Sequence, residues 1–375
     1  MAYTMKQLSL FTIFFSNSLQ RLTIYEFLNL CKHQLKTGFK MNKYPPAAKT
    51  LGEHRIIEII QSHLTPMPDT AVPFGDDVSA APLFGTEIAV LKTDMLVGAT
   101  DVPPGMSLFA AARKAVVMNI SDFASKGVLP SAVMVALGLP KNFANEKSVA
   151  EIAEGLNAGA REYGAYVVGG DTNETSDLII SISLFGIARN ALMLRSGARA
   201  GDILAVTGLF GKSAAGLNLL LHGGKASSSI RRALEDAVFN PKARLREGLA
   251  LRGYDYVSSS IDSSDGLAWS IHELARMSKV GFTIDKVPLA PEAQEYGLQN
   301  SLEPTELALY GGEEYELVLT VKPGKWSEAQ AVVQAVGGCL IAIGKATYKK
   351  QVVLEENDVK RPIEARGWEH FRSQA

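Results

Sequence analysis

The sequence predicts two α+β domains, and three observations lead there. A chain of 375 residues is longer than one ordinary domain and has ample residues for a sizeable core. Strand-like and helix-like segments both recur along it, but without the regular strand-helix-strand alternation of a doubly wound sheet. A stretch rich in Arg, Gly and Ala at 188–201 separates them into two sets. The expected partition is an N-terminal extension over 1–48, a first domain over 49–190 and a second over 191–375.

Within the first set, residues 51–63 read as a helix whose apolar positions are Ile56, Ile57, Ile59 and Ile60, with Pro66 and Pro68 stopping it. Residues 87–92 alternate as a strand that delivers Thr93 and Asp94 at its end. Ser107 caps a helix with Leu108, Ala111, Ala112, Ala115, Val116, Ile120 and Phe123 at three and four spacing, and Gly127 ends it. Asn119 and Asp122 share one of its faces. A strand at 132–139, a helix at 149–163, a short buried strand at 166–168 and a longer strand at 178–187 complete the set. The second set begins with a strand at 203–207 and a helix at 213–221. A strand at 257–261 follows, then a helix at 265–277 capped by the Ser263-Ser264-Asp265 turn. Strands at 314–321, 340–343 and 352–354 end it.

Composition narrows the function. Lys+Arg total 38 and Asp+Glu 39, so no global basic excess points to nucleic acid or an anionic membrane. A hydrophobic share of 47% with 21% charged residues excludes a disordered chain. No apolar run is long enough to predict a transmembrane helix. Cys31 and Cys339 are the only cysteines, which excludes a disulfide framework and points to a reducing, cytoplasmic compartment. The first forty residues are discordant: five basic residues face the single acid Glu26, and seven aromatics crowd among them. Their apolar stretch at 8–15 is short and lacks a cleavage pattern, so the segment reads as a dispensable extension, with Met41 as the initiator.

The candidate chemistry lies in carboxylates at the ends of elements: Asp76, Asp77, Asp94, Asp122, Asp171, Asp262 and Asp265. Each alone has a turn or capping explanation. As a set they would repel one another, and hard-oxygen ligation of several Mg²⁺ ions explains the grouping. Gly169-Gly170 lets the backbone approach a ligand, and the turn before Leu267 opens a helix whose N–H groups can hold phosphate. Gly208 to Ser213 looks like a Walker A loop but is a decoy, because Val206 stands where its first Gly is needed. The histidines are scattered and offer neither zinc nor triad spacing.

The ordered series Gly75-Asp76-Asp77, Thr93-Asp94, Asn119 to Asp122, Gly169 to Thr172, Arg195 to Arg199, Asp262 to Leu267, Gly311 to Leu317 and Gly367 to Phe371 resembles the thiamine-monophosphate kinases, of the aminoimidazole-ribonucleotide synthetase-like superfamily. The resemblance implies two mixed α/β domains, a homodimer whose N-terminal sheets close a barrel, and ATP with several Mg²⁺ ions. It implies metal ligation by Asp76, Thr93, Asp94, Asp122, Asp171, Asp262 and Asp265. Nucleotide contacts fall on Gly170, Asp171, Arg195 and Ser264, and substrate contacts on Asp101, Glu313 and Trp368. Three positions depart from the bacterial pattern. Lys92 replaces a Ser or Thr ligand, Asp101 replaces a substrate-contacting His in a stretch resembling the archaeal branch, and Glu314 replaces Asp. Two other readings stay open: another ATP-dependent enzyme of the superfamily, or a non-catalytic nucleotide-binding protein of that fold.

The implied reaction fits the residues. ATP and a phosphomonoester repel strongly at about 4 Å unless cations intervene, and clustered carboxylates hold such cations. An ionised phosphate acceptor needs no general base. Thiamine monophosphate is then the acceptor substrate.

Overall fold

The computed structural model describes residues 52–189 and 192–369. The extension over 1–48 lies outside the described residues, as do His370 and Phe371. The described residues from 60 to 369 belong to one compact unit. The first described helix is α1 (Glu53–Ser62).

The elements that follow are β1 (Ser79–Pro82), β2 (Ile88–Val97), α2 (Gly98–Asp101), α3 (Leu108–Lys126), β3 (Pro130–Leu139), α4 (Glu146–Glu162), β4 (Tyr166–Glu174) and β5 (Ile179–Ala188). Their strands form a sheet in the order β1-β2-β5-β3-β4, antiparallel except for β3 with β4. Next come β6 (Ile203–Val206), α5 (Lys212–His222), α6 (Ser228–Phe239), α7 (Leu245–Leu251), β7 (Val257–Asp262) and α8 (Leu267–Ser278). The chain continues with β8 (Gly281–Ile284), α9 (Pro291–Gln299), α10 (Pro304–Tyr310), β9 (Leu317–Val321), α11 (Trp326–Ala335), β10 (Ile341–Thr347), β11 (Val352–Glu356) and β12 (Val359–Pro362). A second sheet runs β12-β11-β8-β10-β6-β9-β7, with β8 and β11 its parallel pair. This is the mixed, two-sheet architecture that the sequence predicts.

Helix α3 is the axle of the fold. Ser107 Oγ accepts the Ala110 N–H at 3.1 Å, and Gly127 closes the helix at φ 67°, a left-handed conformation glycine adopts freely. Between these caps nearly every residue from Ala110 to Lys126 is buried. Ile120 and Phe123 pack in one core with Val90 and Leu96 of β2 and Ile180 and Ile182 of β5. That core continues into Leu317, Leu319 and Val321 of β9, so the two sheets share it. Truncating Ile120 to Ala would cost about 2–5 kcal/mol.

Several boundaries differ from expectation, each for a local reason. Strand β2 does not stop before Asp94 but continues to Val97, paired along its length with β5. Strand β4 runs through Gly169-Gly170-Asp171 to Glu174, and all nine of its residues are exposed, because it is the sheet's edge. Helix α8 starts at Leu267 on Gly266 with no side-chain cap, so the Ser263-Ser264-Asp265 turn does not cap it. Strand β9 starts at Leu317, since Glu313 and Tyr315 adopt φ of 63° and 54°, outside strand geometry.

Candidate functional site

Four pieces of chain converge at the buried end of α3. The loop after Gly75 brings Asp76 and Asp77, β2 brings Lys92 and Asp94, α3 brings Asp122 and Lys126, and the end of β7 brings Asp262. Ligand oxygens of Asp77, Asp122 and Asp262 all lie within 4.8 Å of one another, and all three residues are buried. Ser121 Oγ donates to Asp262 at 2.8 Å and Ser125 Oγ to Asp77 at 2.6 Å, so α3 carries both supports. Asn119 accepts the Asp94 N–H at 3.0 Å and holds β2 against the same helix.

Cations are interleaved with these acids. Lys126 Nζ lies 2.7 Å from Asp76 and 2.8 Å from Asp77 and donates to the Ser260 carbonyl at 2.8 Å. Lys92 Nζ lies 3.2 Å from Asp94 and 3.1 Å from Asp122. Arg195 donates through Nε to Asp77 at 2.6 Å and through Nη1 to the Gly75 carbonyl at 3.0 Å, and its backbone N–H reaches Asp76 at 3.0 Å. Burial works against the Asp77 charge, but Arg195 and Lys126 outweigh it and hold the carboxyl well below its usual range. For Lys92, the surrounding carboxylates likewise outweigh burial and keep the ammonium charged. Asp122 and Asp262 are not so well compensated. Burial, then neighbouring acids, push Asp262 up to about 6 and Asp122 well above the carboxylate range.

A second group joins α3 to the loops around Gly266 and Gly312. Lys114 Nζ pairs with Glu313 at 2.5 Å and donates to the Asp101 carbonyl at 3.0 Å. The Asp101 carboxylate itself accepts the Val97 N–H at 2.7 Å, turned toward its own helix α2. Ser264 is exposed, and its carbonyl accepts the Glu313 N–H at 2.6 Å. The Asp265 carbonyl accepts the Trp368 N–H at 3.0 Å, which sets the half-exposed indole beside this turn. Glu314 Oε1 accepts the N–H groups of Gly211 at 2.6 Å and Ser213 at 3.0 Å. The Walker-like segment therefore caps its helix with an internal carboxylate, which burial pushes up to about 7.

Not every residue of the sequence-derived set joins the cluster. Because β2 continues past Asp94, strand alternation puts Thr93 on the opposite face, where its Oγ1 donates to the Ile182 carbonyl at 2.9 Å. Asp171 is exposed and shares a register row with Ala136, Ser181 and Met95 on that same outer face. Gly170 has a steric reason to be glycine, since a Cβ there would lie 2.0 Å from the Val135 carbonyl oxygen. Arg195 is turned into Asp77. Sequence reasoning missed Lys114 and Lys126. Their signal was available, because Lys114, Asp122 and Lys126 fall at multiples of four along a helix rich in apolar residues.

The three-carboxylate set suits a hard divalent cation. Its donors are all oxygens, and a cation bound there would offset both the burial and the neighbouring acids that push Asp122 and Asp262 up.

Comparison with known proteins places this geometry. Residues 75–188 match the family described as AIR synthase related protein, N-terminal domain, and residues 199–356 match the C-terminal domain of the same family. The chain is 37% identical over 317 residues to the thiamine-monophosphate kinase of Pyrococcus horikoshii, covering 84% of this chain and 96% of that one. It is 36% identical over 283 residues to the thiamine-monophosphate kinase of Nitrosopumilus maritimus, covering 76% and 89%. A solved structure described as AaThiL complexed with AMPPCP and TMP superposes with a TM-score of 0.75 at 28% identity, covering 85% of this chain and 97% of that one.

Proposed function

The chain belongs to the AIR synthase related family and, within it, to the thiamine-monophosphate kinases, and from that premise we propose that it is an Mg²⁺-dependent kinase making thiamine diphosphate from ATP and thiamine monophosphate. The observation that carries the Mg²⁺ part of this reading is the buried Asp77-Asp122-Asp262 set, positioned by Ser121, Ser125, Lys126 and Arg195.

Asp122 and Asp262 are the primary ligands in this reading, with Asp76, Asp77 and Asp94 around them. Bound Mg²⁺ would neutralise phosphate charge and align the two substrates. Asp265 and Ser264 lie on the turn before α8, where the nucleotide phosphates are proposed to sit beside Gly170, Asp171 and Arg195. Engaging a phosphate with Arg195 requires its guanidinium to turn from Asp77. Glu313, Asp101 and Trp368 are proposed to line the thiamine side, where the Trp368 face suits a cationic ring. The acceptor oxygen of a phosphate monoester is already ionised, so no residue need remove a proton, and transfer is direct and in line.

The outer face of the first sheet supports a homodimer. Leu91, Met95, Met134 and Ile187 are exposed there at 44%, 54%, 56% and 42%, large apolar side chains on three strands interspersed with Thr93, Ser181 and Ser183. A second copy's sheet is the proposed cover. Among the described residues no helix is long and apolar enough to cross a membrane. A cytoplasmic location remains our reading from cysteine usage.

The test is product identification by mass after incubating the chain with ATP, Mg²⁺ and a panel of acceptors. Thiamine diphosphate should form from thiamine monophosphate, and unphosphorylated thiamine should be a poor acceptor. Initial-rate plots should intersect, as direct transfer requires both substrates together. Absence of turnover with thiamine monophosphate would end this reading.

A further inference from the structure

The acids and cations of the buried cluster hold a balance that limits how many metal ions it can take. Ionised, as metal binding requires, Asp76, Asp77, Asp94, Asp122 and Asp262 bring five negative charges, and Lys92, Lys126 and Arg195 return three, while Glu273 beside Arg195 is matched by Arg276. The remainder equals the charge of one divalent ion, and the three acids close enough to share one are Asp77, Asp122 and Asp262. Asp94 is not among them. Its Oδ1 and Oδ1 of Asp122 converge on Lys92 Nζ, at 3.2 and 3.1 Å. A magnesium ion between two such oxygens stands about 2.0–2.1 Å from each. The ammonium thus occupies the place where a bridging ion would contact both oxygens. It is well placed to stay there, since Lys92 lies on the inner face of β2 between the fully buried Val90 and Leu96.

We propose that Lys92 is a built-in cation standing in for one metal ion, so that this protein works with one divalent ion fewer than its carboxylates alone would hold. The inference rests on the Mg²⁺-dependent reading above. Lys92 is a positioning residue: it acts through Asp94 and Asp122, fixing their separation and removing one charge from the demand for metal. Bound to the chain, an ammonium cannot be lost to chelators or competed away, so half-saturation of the site should depend less steeply on Mg²⁺ than in a variant without it.

The experiment counts Mn²⁺ bound per subunit of the full chain, by equilibrium dialysis with saturating AMPPCP and thiamine monophosphate, for the unmodified protein and for Lys92→Ser. The variant should take up one more Mn²⁺ per subunit. An equal or lower count on a folded Lys92→Ser overturns the proposal and leaves Lys92 as a structural tie. If the variant is unfolded without metal, recovery of its circular dichroism on adding Mn²⁺ supports replacement of the ammonium by a metal. Failure to fold at any Mn²⁺ concentration overturns it. A different failure is distinguishable: no Mn²⁺ on the unmodified protein would remove the Mg²⁺-dependent reading itself.

Discussion

The Lys126 ammonium lies 2.8 Å from the Asp77 carboxylate with neither side chain exposed to solvent. Removing one partner of such a pair leaves a charge in the core, at a typical cost of about 3–5 kcal/mol. Lys126→Met should therefore lower the urea midpoint sharply, and the double variant Asp76→Asn with Lys126→Met should recover part of the loss. A single variant as stable as the parent would mean that Arg195 alone suffices for Asp77.

Asp262 has a folded pKa of about 6 against an ordinary 3.8, so the folded protein binds this proton more tightly than the unfolded chain. A divalent ion at Asp262 must displace it. Mg²⁺ binding at pH 6 should release protons, measurable by calorimetry in buffers of different ionisation enthalpy, and should tighten as pH rises through that value. Asp262→Asn should reduce the proton release, leaving the share that Asp122 contributes, and lower turnover by orders of magnitude while the melting temperature holds or rises.

Glu314, which holds the N–H groups of Gly211 and Ser213, behaves similarly. Its folded pKa of about 7 lies above the ordinary 4.5, so its stabilising contribution is fully present below about pH 4.5 and is lost as pH rises toward 7. Glu314→Gln keeps an acceptor for the Gly211 and Ser213 N–H groups without a charge. The variant should match the parent at pH 5, exceed it at pH 8, and show a flatter pH profile of denaturation midpoints. An identical profile would count against burial as the cause of the shift.

The exposed apolar sheet face predicts an association that one charge can disrupt. Met134→Lys should convert a dimer to a monomer in sedimentation velocity while the far-ultraviolet circular dichroism stays unchanged. A parent chain that sediments as a monomer at micromolar concentration would rule out this face as a stable dimer interface.

Helix α3 was legible from its spacing because both caps and the apolar positions agree, and so was Asp122 on its face. Thr93 and Asp171 lie apart from the buried cluster for one shared reason. A run of residues does not reveal where a strand ends, and a strand that continues sends neighbours to opposite sides. Thr93 leaves Asp94 in this way, and β4 carries Asp171 onto the outer face. Lys126 and Lys114 were overlooked because a lysine in a sequence is ordinarily a surface group. Only the folded chain shows that their partners arrive from loops far away in sequence. Helices α6, α7, α9, α10 and α11 also escaped notice; α7 and α10 are only seven residues long and α7 and α9 contain Gly, so packing determines these three more than local preference does.

Twelve positions separate Lys114 from Lys126 on α3, a span of about 18 Å at 1.5 Å per residue. One end is pinned to Glu313 and the other to Asp76 and Asp77, so the helix works as a gauge between two loops it does not covalently adjoin. Gain or loss of a single residue between the lysines would turn one of them about 100° around the axis, away from its carboxylate. The number of residues between the two lysines is therefore as constrained as the anchoring side chains themselves, and a chimera between two lineages of this protein must exchange the helix whole.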